Sequence, residues 1–285
     1  MIYVRIRGGL GNQLFQYSAA RSLADRLNVN LGLDTREYNA GSPFEMGLKH
    51  FNIRAEFNPK GLIKHRKNGF SKYILDIALG NHKNVYKENN LSFNNLFHSL
   101  PNKTYLKGYW QSEKYFENNQ KNIFKDLQLI APQSKKNIKT LENISKTNSV
   151  SLHIRRGDYV TNSAYNMKHG TCSLDYYKKS VDYLSKSLNK NFTIFAFSDD
   201  PEWVFKNLKL PIDIQFIDHN SSKKNYEDLR LMSQCNHNII ANSSFSWWGA
   251  WLNKSPKRTI ISPKKWYADK NIKNIDIIPN NWVKI

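Results

Sequence analysis

Residues 149–158, SVSLHIRRGD, form the stretch that decides the fold of the second half of the chain. Apolar and polar residues alternate along it with a period of two, which predicts a strand with His153 and Arg155 on one face. Two adjacent guanidiniums repel each other, so Arg155 and Arg156 predict an anion between them. The alternative is an internal ion pair with Asp158, although one carboxylate cannot balance two guanidiniums.

Strand-like and helix-like segments alternate after this strand. Ser173 is the predicted N-cap of a helix with apolar residues at helical spacing, residues 192–197 (FTIFAF) read as a buried strand, and Pro201 falls in the first turn of the next helix. The β-α unit recurs about four times, which predicts parallel strands covered by helices, a doubly wound sheet of nucleotide-binding type.

Polar residues follow three of the predicted strands. Ligands of such sheets bind outside the carboxyl ends of the strands, so these residues are expected to share one crevice. The arginines suit a diphosphate and His153 suits a guanine or ribose. A carboxylate can accept hydrogen bonds from guanine or cap a helix, and serines and backbone N–H groups suit phosphate. The predicted set is Arg155, Arg156, Asp199, Asp200, Asn242, Ser243 and Ser244.

The first half opens with the strand IYVRI, the glycine turn GGLGNQLFQ (residues 8–16) and a helix predicted from about Asn12 to Leu27. Glycines at a helix N-terminus suit an anion site, but taken alone the segment favours a plain tight turn, because the third glycine of the dinucleotide fingerprint and a phosphate-loop lysine are missing. GYWQSEKYF (residues 108–116) follows another predicted strand, where its rings suit either a sugar or a staple for the next helix.

A polar stretch, APQSKKNIKTLENISKTNS (residues 131–149), separates the halves and is the predicted connection between two lobes. The predicted domains are therefore residues 1–148 and 149–285.

The composition is strongly basic, with a formal net charge of +20 spread along the sequence, so the surface attracts anions. Neither the two cysteines nor the acidic residues show metal-ligand spacing, and no helix-turn-helix or zinc-finger pattern occurs. The N-terminus lacks a signal-peptide pattern and no apolar run reaches the roughly 18 residues of a membrane span. These features predict a cytoplasmic protein, either soluble or in peripheral contact with an anionic membrane.

GGLGNQLFQY, HIRRGDYV, FSDDPEW and NSSFSWWGAWL occur in this order over nearly the whole chain. Together they resemble the bacterial α-1,2-fucosyltransferases of glycosyltransferase family 11. The resemblance implies an α/β, GT-B-like fold of two Rossmann-like lobes with a cleft between them. The N-terminal lobe would face the acceptor and the C-terminal lobe would bind GDP-fucose. It also implies inverting, metal-independent transfer of L-fucose from GDP-β-L-fucose to O2 of a galactose residue, without a cofactor.

The resemblance also implies roles for single residues. Arg155 would neutralise the β-phosphate. The resemblance supplies no base, because the glutamate that core fucosyltransferases carry shortly after the arginine motif is missing from YVTNSAYN; Asp158 is the candidate, with His169 or no base as open alternatives. The implied donor-binding residues are Asn12 over the diphosphate, His153 at the nucleoside, Arg155 at the β-phosphate, Asp199 or Asp200 at guanine, and Ser243 or Ser244 at phosphate. The residue pattern at the strand ends adds Arg156 and Asn242 to the predicted donor-binding set.

The implied acceptor is a galactose-terminated glycan or lipid-linked oligosaccharide of O-antigen or capsule type, made at the inner face of the plasma membrane. Two alternatives stand beside this reading. The first is a GT-B transferase that uses another nucleotide sugar. The second is a basic nucleic-acid-binding module, which the charge motivates and which would bind arbitrary DNA with a steep salt dependence.

Overall fold

The computed structural model describes residues 1–60, 62, 84–189, 191–272 and 275–285, and the chain divides into two units, Met1–Gln128 and Leu129–Ile285. The division comes earlier than the predicted boundary at residue 148. The polar stretch read as a connection contains a helix of the second unit, Lys135–Lys146 (α4). Its buried Asn137 donates hydrogen bonds to Asn220 and Glu227, which anchors the helix to that unit.

The first unit contains a five-stranded parallel sheet in the order β3-β2-β1-β5-β4. The strands are β1 (Ile2–Arg5), β2 (Leu31–Asp34), β3 (Glu56–Phe57), β4 (Val85–Lys87) and β5 (Tyr105–Lys107). Its described helices are α1 (Leu10–Arg26), α2 (Arg36–Asn39) and α3 (Gln120–Asp126), with short 3-10 turns at Gly47–His50, Asn95–Ser99, Glu113–Tyr115 and Glu117–Asn119. Helix α1 begins two residues before its predicted start at Asn12.

The second unit contains a six-stranded parallel sheet in the order β11-β10-β9-β6-β7-β8. The strands are β6 (Ser149–Ile154), β7 (Thr193–Ser198), β8 (Ile214–Ile217), β9 (His237–Ile239), β10 (Ile260–Ser262) and β11 (Val283–Lys284). After α4, the helices are α5 (Gly157–Thr161), α6 (Ser163–His169), α7 (Leu174–Ser187), α8 (Pro201–Asn207), α9 (Asn225–Gln234) and α10 (Ser244–Trp251), with a 3-10 turn at Ser222–Lys224.

The strand order of the second sheet is that of the Rossmann fold. The first three strands run outward from β6 in one direction and the last three run outward from β9 in the other. The chain therefore reverses its direction of winding between β6 and β9, and ligands of such sheets bind at this switch point. The doubly wound sheet predicted from the alternation is confirmed.

Local sequence signals in the second unit behave as predicted. Ser173 accepts a hydrogen bond from the backbone N–H of Tyr176 and caps α7, and Asp200 caps α8 ahead of Pro201. The apolar faces of β6, β7 and α7 meet in one buried cluster. The tryptophans of α10 are buried in the core: Trp247, Trp248 and Trp251.

Candidate active site

Three strand ends meet at the switch point of the second sheet. Strand β6 pairs with β7 on one side and with β9 on the other, so the residues after each strand are neighbours. The backbone N–H of Arg156, after β6, donates to Asp199 Oδ1, after β7, at 2.8 Å. The ring of His153, on β6, lies 5.5 Å from that of Phe245, at the start of α10. The structure thus brings together the site residues predicted for the second lobe.

Arg155 is the centre of this group. Its Nη2 lies 2.5 Å from Asp158 Oδ1, and its Nη1 lies 2.8 Å from Asp199 Oδ2. Its guanidinium also lies over the ring of Tyr159, 5.3 Å from the ring centre. Burial lowers the pKa of Arg155 while the two carboxylates raise it, and the net shift is upward. The side chain is a permanent cation that keeps 25% of its surface exposed.

Arg156 is held differently, against the first turn of α8. Its Nε donates to Asp200 Oδ2 at 2.9 Å, and its guanidinium stacks on Trp203 at 3.6 Å from the ring centre. Counting Asp158 and Asp199 as well, three carboxylates face the two arginines. The ion pair with Asp158 that the sequence offered as an alternative is therefore present, and two further carboxylates from a distant part of the sequence complete the group.

The carboxylates of Asp199 and Asp200 each have two partners within the second unit. Asp199 accepts from both arginines, while Asp200 accepts from Arg156 and from the backbone N–H of Trp203. This confirms the helix-capping reading for Asp200, and the reading of guanine by Asp199 or Asp200 stays a prediction. Gly157 makes the arrangement sterically feasible, because a Cβ at that position would overlap the carboxylate of Asp199.

His153 is nearly sealed inside the site. It is 5% exposed, and its Nδ1 has no hydrogen-bond partner among the described residues. Burial, with a smaller effect of the Arg155 charge, lowers the pKa of His153 to about 3. The imidazole is therefore neutral at physiological pH and offers an unfilled ring nitrogen to an uncharged group such as a nucleoside.

The N-terminus of α10 supplies backbone donors at the same edge. Ser243 precedes the helix and its side chain makes no capping hydrogen bond, and Ser244 is the first helical residue. Ser243 is buried and Ser244 is half-buried. Since the first N–H groups of a helix lack intrahelical partners and carry its positive dipole end, this terminus suits a phosphate.

Asn242 is predicted to bind the donor, but its side chain bonds to the protein backbone instead. Its Nδ2 donates to the backbone oxygens of His169, Gly170 and Trp266 at 2.9, 3.3 and 3.2 Å. The side chain is buried and its amide donors are used inside the unit. Asn242 therefore positions neighbouring loops, and its predicted contact with the donor is not supported by this geometry.

The glycine turn of the first unit is closed by amide side chains. Asn12 Oδ1 accepts from Gln111 Nε2 at 2.8 Å. The buried Gln13 donates to the carbonyls of Gly8 and Glu45 and accepts from the N–H of Gly47. These bonds give the turn a structural purpose, and the role of Asn12 at the diphosphate stays a prediction.

The aromatic segment after β5 packs inward. Trp110 and Tyr115 are buried and contact each other and Phe97 at ring-centre distances of 4.7 to 5.5 Å. This is the structural alternative predicted for the segment, an aromatic cluster beside the following turns. Tyr109 alone in this group of rings stays half-buried.

Asp228 has a perturbed pKa, and the sequence analysis did not identify it. It lies in the first turn of α9 and accepts from Asn220 Nδ2 at 2.8 Å. Burial raises the pKa of Asp228 to about 7, with a further contribution from the charge of Glu227. A carboxyl whose pKa is so perturbed is a candidate functional group. The sequence NYEDLRL shows a helix but carries no signal that this aspartate is buried.

Within the described ranges, no group of three or more His, Cys, Asp or Glu side chains could hold a metal ion. Metal independence itself stays a prediction. None of the helices described is long and apolar enough to cross a bilayer.

Known proteins resemble the chain over its whole length. It is 34% identical to an α-1,2-colitosyltransferase of Escherichia coli, over 100% of this chain and 99% of that protein. It is 30% identical to the O-antigen biosynthesis glycosyltransferase WbnK of the same species, over 100% of both.

Two solved structures share the fold. The fucosyltransferase NodZ from Bradyrhizobium matches with a TM-score of 0.51 and 14% identity, over 87% of this chain and 90% of that one. A variant of Arabidopsis thaliana FUT1 in complex with GDP matches with a TM-score of 0.51 and 10% identity, over 99% and 75%. The fold is α/β and GT-B-like, with two Rossmann-like lobes, as predicted.

The family model described as glycosyl transferase family 11 matches residues 1–285. The match agrees with the family suggested by the four motifs and favours a transferase over a basic nucleic-acid-binding module. The chain belongs to glycosyl transferase family 11.

Proposed function

We propose that the protein transfers L-fucose from GDP-β-L-fucose to O2 of a galactose residue in an O-antigen or capsule-type glycan, with inversion and without a metal. The observation that carries the proposal is the position of Arg155 directly after β6, at the switch point of the second sheet, where the neighbouring strand β9 leads to α10. The name of the relative WbnK supports the O-antigen setting.

The donor is bound by the edge of the second sheet. Arg155 and the N–H groups of α10 take the diphosphate, because both supply positive charge at the site where nucleotides bind in this topology. His153 offers its neutral ring to the nucleoside. Arg156 holds α8 in place through Asp200 and Trp203.

Catalysis follows from the charges around Arg155. Cleavage of the fucosyl–phosphate bond leaves negative charge on GDP and positive charge on the sugar, and fixed charges stabilise these more than they stabilise the bound substrate. Arg155 stabilises the departing phosphate.

Asp158 is the proposed base. Its Oδ1 lies on Arg155, whereas no described residue hydrogen-bonds its Oδ2. That oxygen can take the proton of the acceptor hydroxyl, a step that contributes on the order of 10²-fold or more. Pairing with Arg155 holds the carboxylate in place.

Colitose is the second candidate for the transferred sugar. The identity of 34% with a colitosyltransferase extends over the whole chain and favours it. Colitose is L-fucose without the 3-hydroxyl, so the contacts proposed for GDP would be the same. Only the groups that face C3 of the sugar would distinguish the two donors.

The test is incubation of the protein with GDP-fucose, GDP-colitose or a UDP-sugar and a panel of galactose-terminated glycans. The linkage of the product is determined by NMR, with one arm in EDTA and with Arg155→Ala as the inactive control. An α-1,2-fucosylated galactose formed in EDTA would support the proposal. Transfer from GDP-colitose or the UDP-sugar alone, or activity that EDTA abolishes, would contradict it.

A further inference from the structure

Four ring side chains gather next to Arg155. The rings of Tyr159 on α5 and His169 on α6 are stacked at 4.7 Å, with an angle of 12° between their planes. Tyr165 lies 6.3 Å and Tyr267 lies 5.3 Å from the ring of His169. We call Tyr159, Tyr165, His169 and Tyr267 the ring platform.

The ring platform is continuous with the proposed diphosphate site. The Arg155 guanidinium lies over Tyr159, and the hydroxyl of Tyr159 donates to the backbone oxygen of Asn242, just before α10, at 3.4 Å. The charges of Arg155 and Asp158 also act on the imidazole of His169. A group attached to a phosphate bound at Arg155 would therefore lie within reach of these rings.

The platform is held in place before any ligand arrives. Asn242 Nδ2 ties the carbonyl of His169 to that of Trp266. The N–H groups of Ala268 and Asp269 donate to the carbonyl of Lys168 at 3.1 and 3.2 Å, so the loop that carries Tyr267 is fixed to the end of α6. A preformed arrangement of rings and a few polar atoms is typical of small-molecule sites.

The platform also has unmet binding capacity. Residues 160–168 are all exposed, including Tyr165 at 42% and Met167 at 71%. The buried Nδ1 of His169 has no hydrogen-bond partner in the described part of the chain. Exposed apolar side chains next to an unpartnered ring nitrogen are unusual on a surface that serves packing alone.

We propose that the ring platform binds the pyranose ring of the nucleotide sugar, with the sugar's C–H face against the rings and a hydroxyl at His169. This rests on the proposed donor. A 6-deoxy sugar carries a methyl group and an apolar face, which suit aromatic side chains. The positive charge that develops on the sugar during transfer is attracted to ring faces as well. Since GDP alone carries no sugar, the platform should not affect GDP binding.

The experiment is calorimetric titration of the full chain with GDP-fucose and, separately, with GDP. His169→Ala should weaken GDP-fucose binding about tenfold and Tyr165→Ala about threefold, while GDP affinity changes by less than about twofold. Tyr183→Ala is the matched control, because Tyr183 is 44% exposed on α7 and lies outside the platform; its affinities should equal those of the wild type.

The outcomes distinguish failure of the ring-platform proposal from failure of the proposed donor. Wild-type protein that binds neither GDP nor GDP-fucose would overturn both. Wild-type protein that binds both ligands, with platform variants that bind them as tightly, would overturn the platform alone, even if the KM for the acceptor rose. Tyr165→Ala keeps the test valid if His169→Ala does not fold, since the ring of Tyr165 is exposed.

Discussion

The turn after β1 and the turn after β6 occupy equivalent places in two sheets of similar topology, yet they are held by different groups. In the first turn, the neutral amide of Gln13 bonds to Gly8, Glu45 and Gly47, and a helix of 17 residues follows. In the second turn, Arg155 bonds to carboxylates, and a helix of five residues follows.

The difference indicates that the first turn has a structural role and that the second turn has a catalytic role. The buried side-chain amide of Gln13 makes its hydrogen bonds within the protein and has no partner to exchange for a ligand, so the first turn is structural. Ion pairs of a part-exposed guanidinium can exchange a carboxylate for a phosphate without leaving the cation unpaired. We therefore expect changes in the second turn to alter activity more than stability, and changes in the first turn to do the reverse.

The largest expected effect is that of Arg155→Ala. Removing the cation at the departing phosphate should lower kcat by about 10³-fold, because preorganised charge contributes most in the transition state. Steady-state kinetics with GDP-fucose would measure it, with circular dichroism to check the fold. Arg156→Ala is the matched variant and should lose less, since that guanidinium is held on Trp203. Near-normal turnover of Arg155→Ala would remove the distinction between the two turns.

Asp158→Asn tests whether the second turn also supplies the catalytic base. If Asp158 takes the acceptor proton, kcat should fall by about 10²-fold while GDP binds as well or more tightly, because a negative charge near the diphosphate is gone. Kinetics and GDP titration measure the two effects. A fall in kcat of less than about tenfold would limit Asp158 to orienting Arg155.

Gln13→Ala tests the first turn in the opposite sense. It removes three hydrogen bonds of a fully buried amide, so the free energy of unfolding should fall by about 2 kcal/mol. Urea unfolding measures the loss, and kcat of the folded enzyme should stay within about threefold of wild type. The exposed Gln120 provides the control substitution, Gln120→Ala, which should leave stability unchanged. A Gln13 variant of normal stability and reduced kcat would contradict the contrast.

The smallest expected effect is a pH dependence of stability that comes from His153. Its pKa is about 3 in the folded protein against 6.5 for a free histidine, so the unfolded chain binds the proton first as the pH falls. The free energy of unfolding therefore falls as the pH drops from 6.5 toward about 3. Between about pH 7 and about pH 5 the loss is about 2 kcal/mol. His153→Asn should remove this part of the slope in urea titrations at both pH values. An unchanged slope would show that the ring is not kept neutral.

Much of the fold could be predicted because its signals are local. The alternation around Leu152 and the capping residues Ser173 and Asp200 act within a few positions of the chain, so pattern and structure agree there. The polar helix α4 was missed as part of the second unit because few of its positions are buried, and its buried Asn137 looks like a surface residue in sequence.

The candidate site was predicted in its composition but not in its contacts. The motif HIRRGD shows two arginines and one aspartate, while the carboxylates that complete the group arrive from the end of β7. Likewise, no local pattern connects Asn242 with His169, or Tyr267 with α6.

The sequence by itself determined several strands, among them β1, β6 and β7, where several helices begin, and the family whose motifs the chain carries, because each depends on residues a few positions apart. Only the tertiary structure decided which charges pair with Arg155, which asparagine is buried, and which rings form one surface. The physical reason is that strand order sets the neighbours at the edge of a sheet, and that order depends on packing between segments that are remote along the chain.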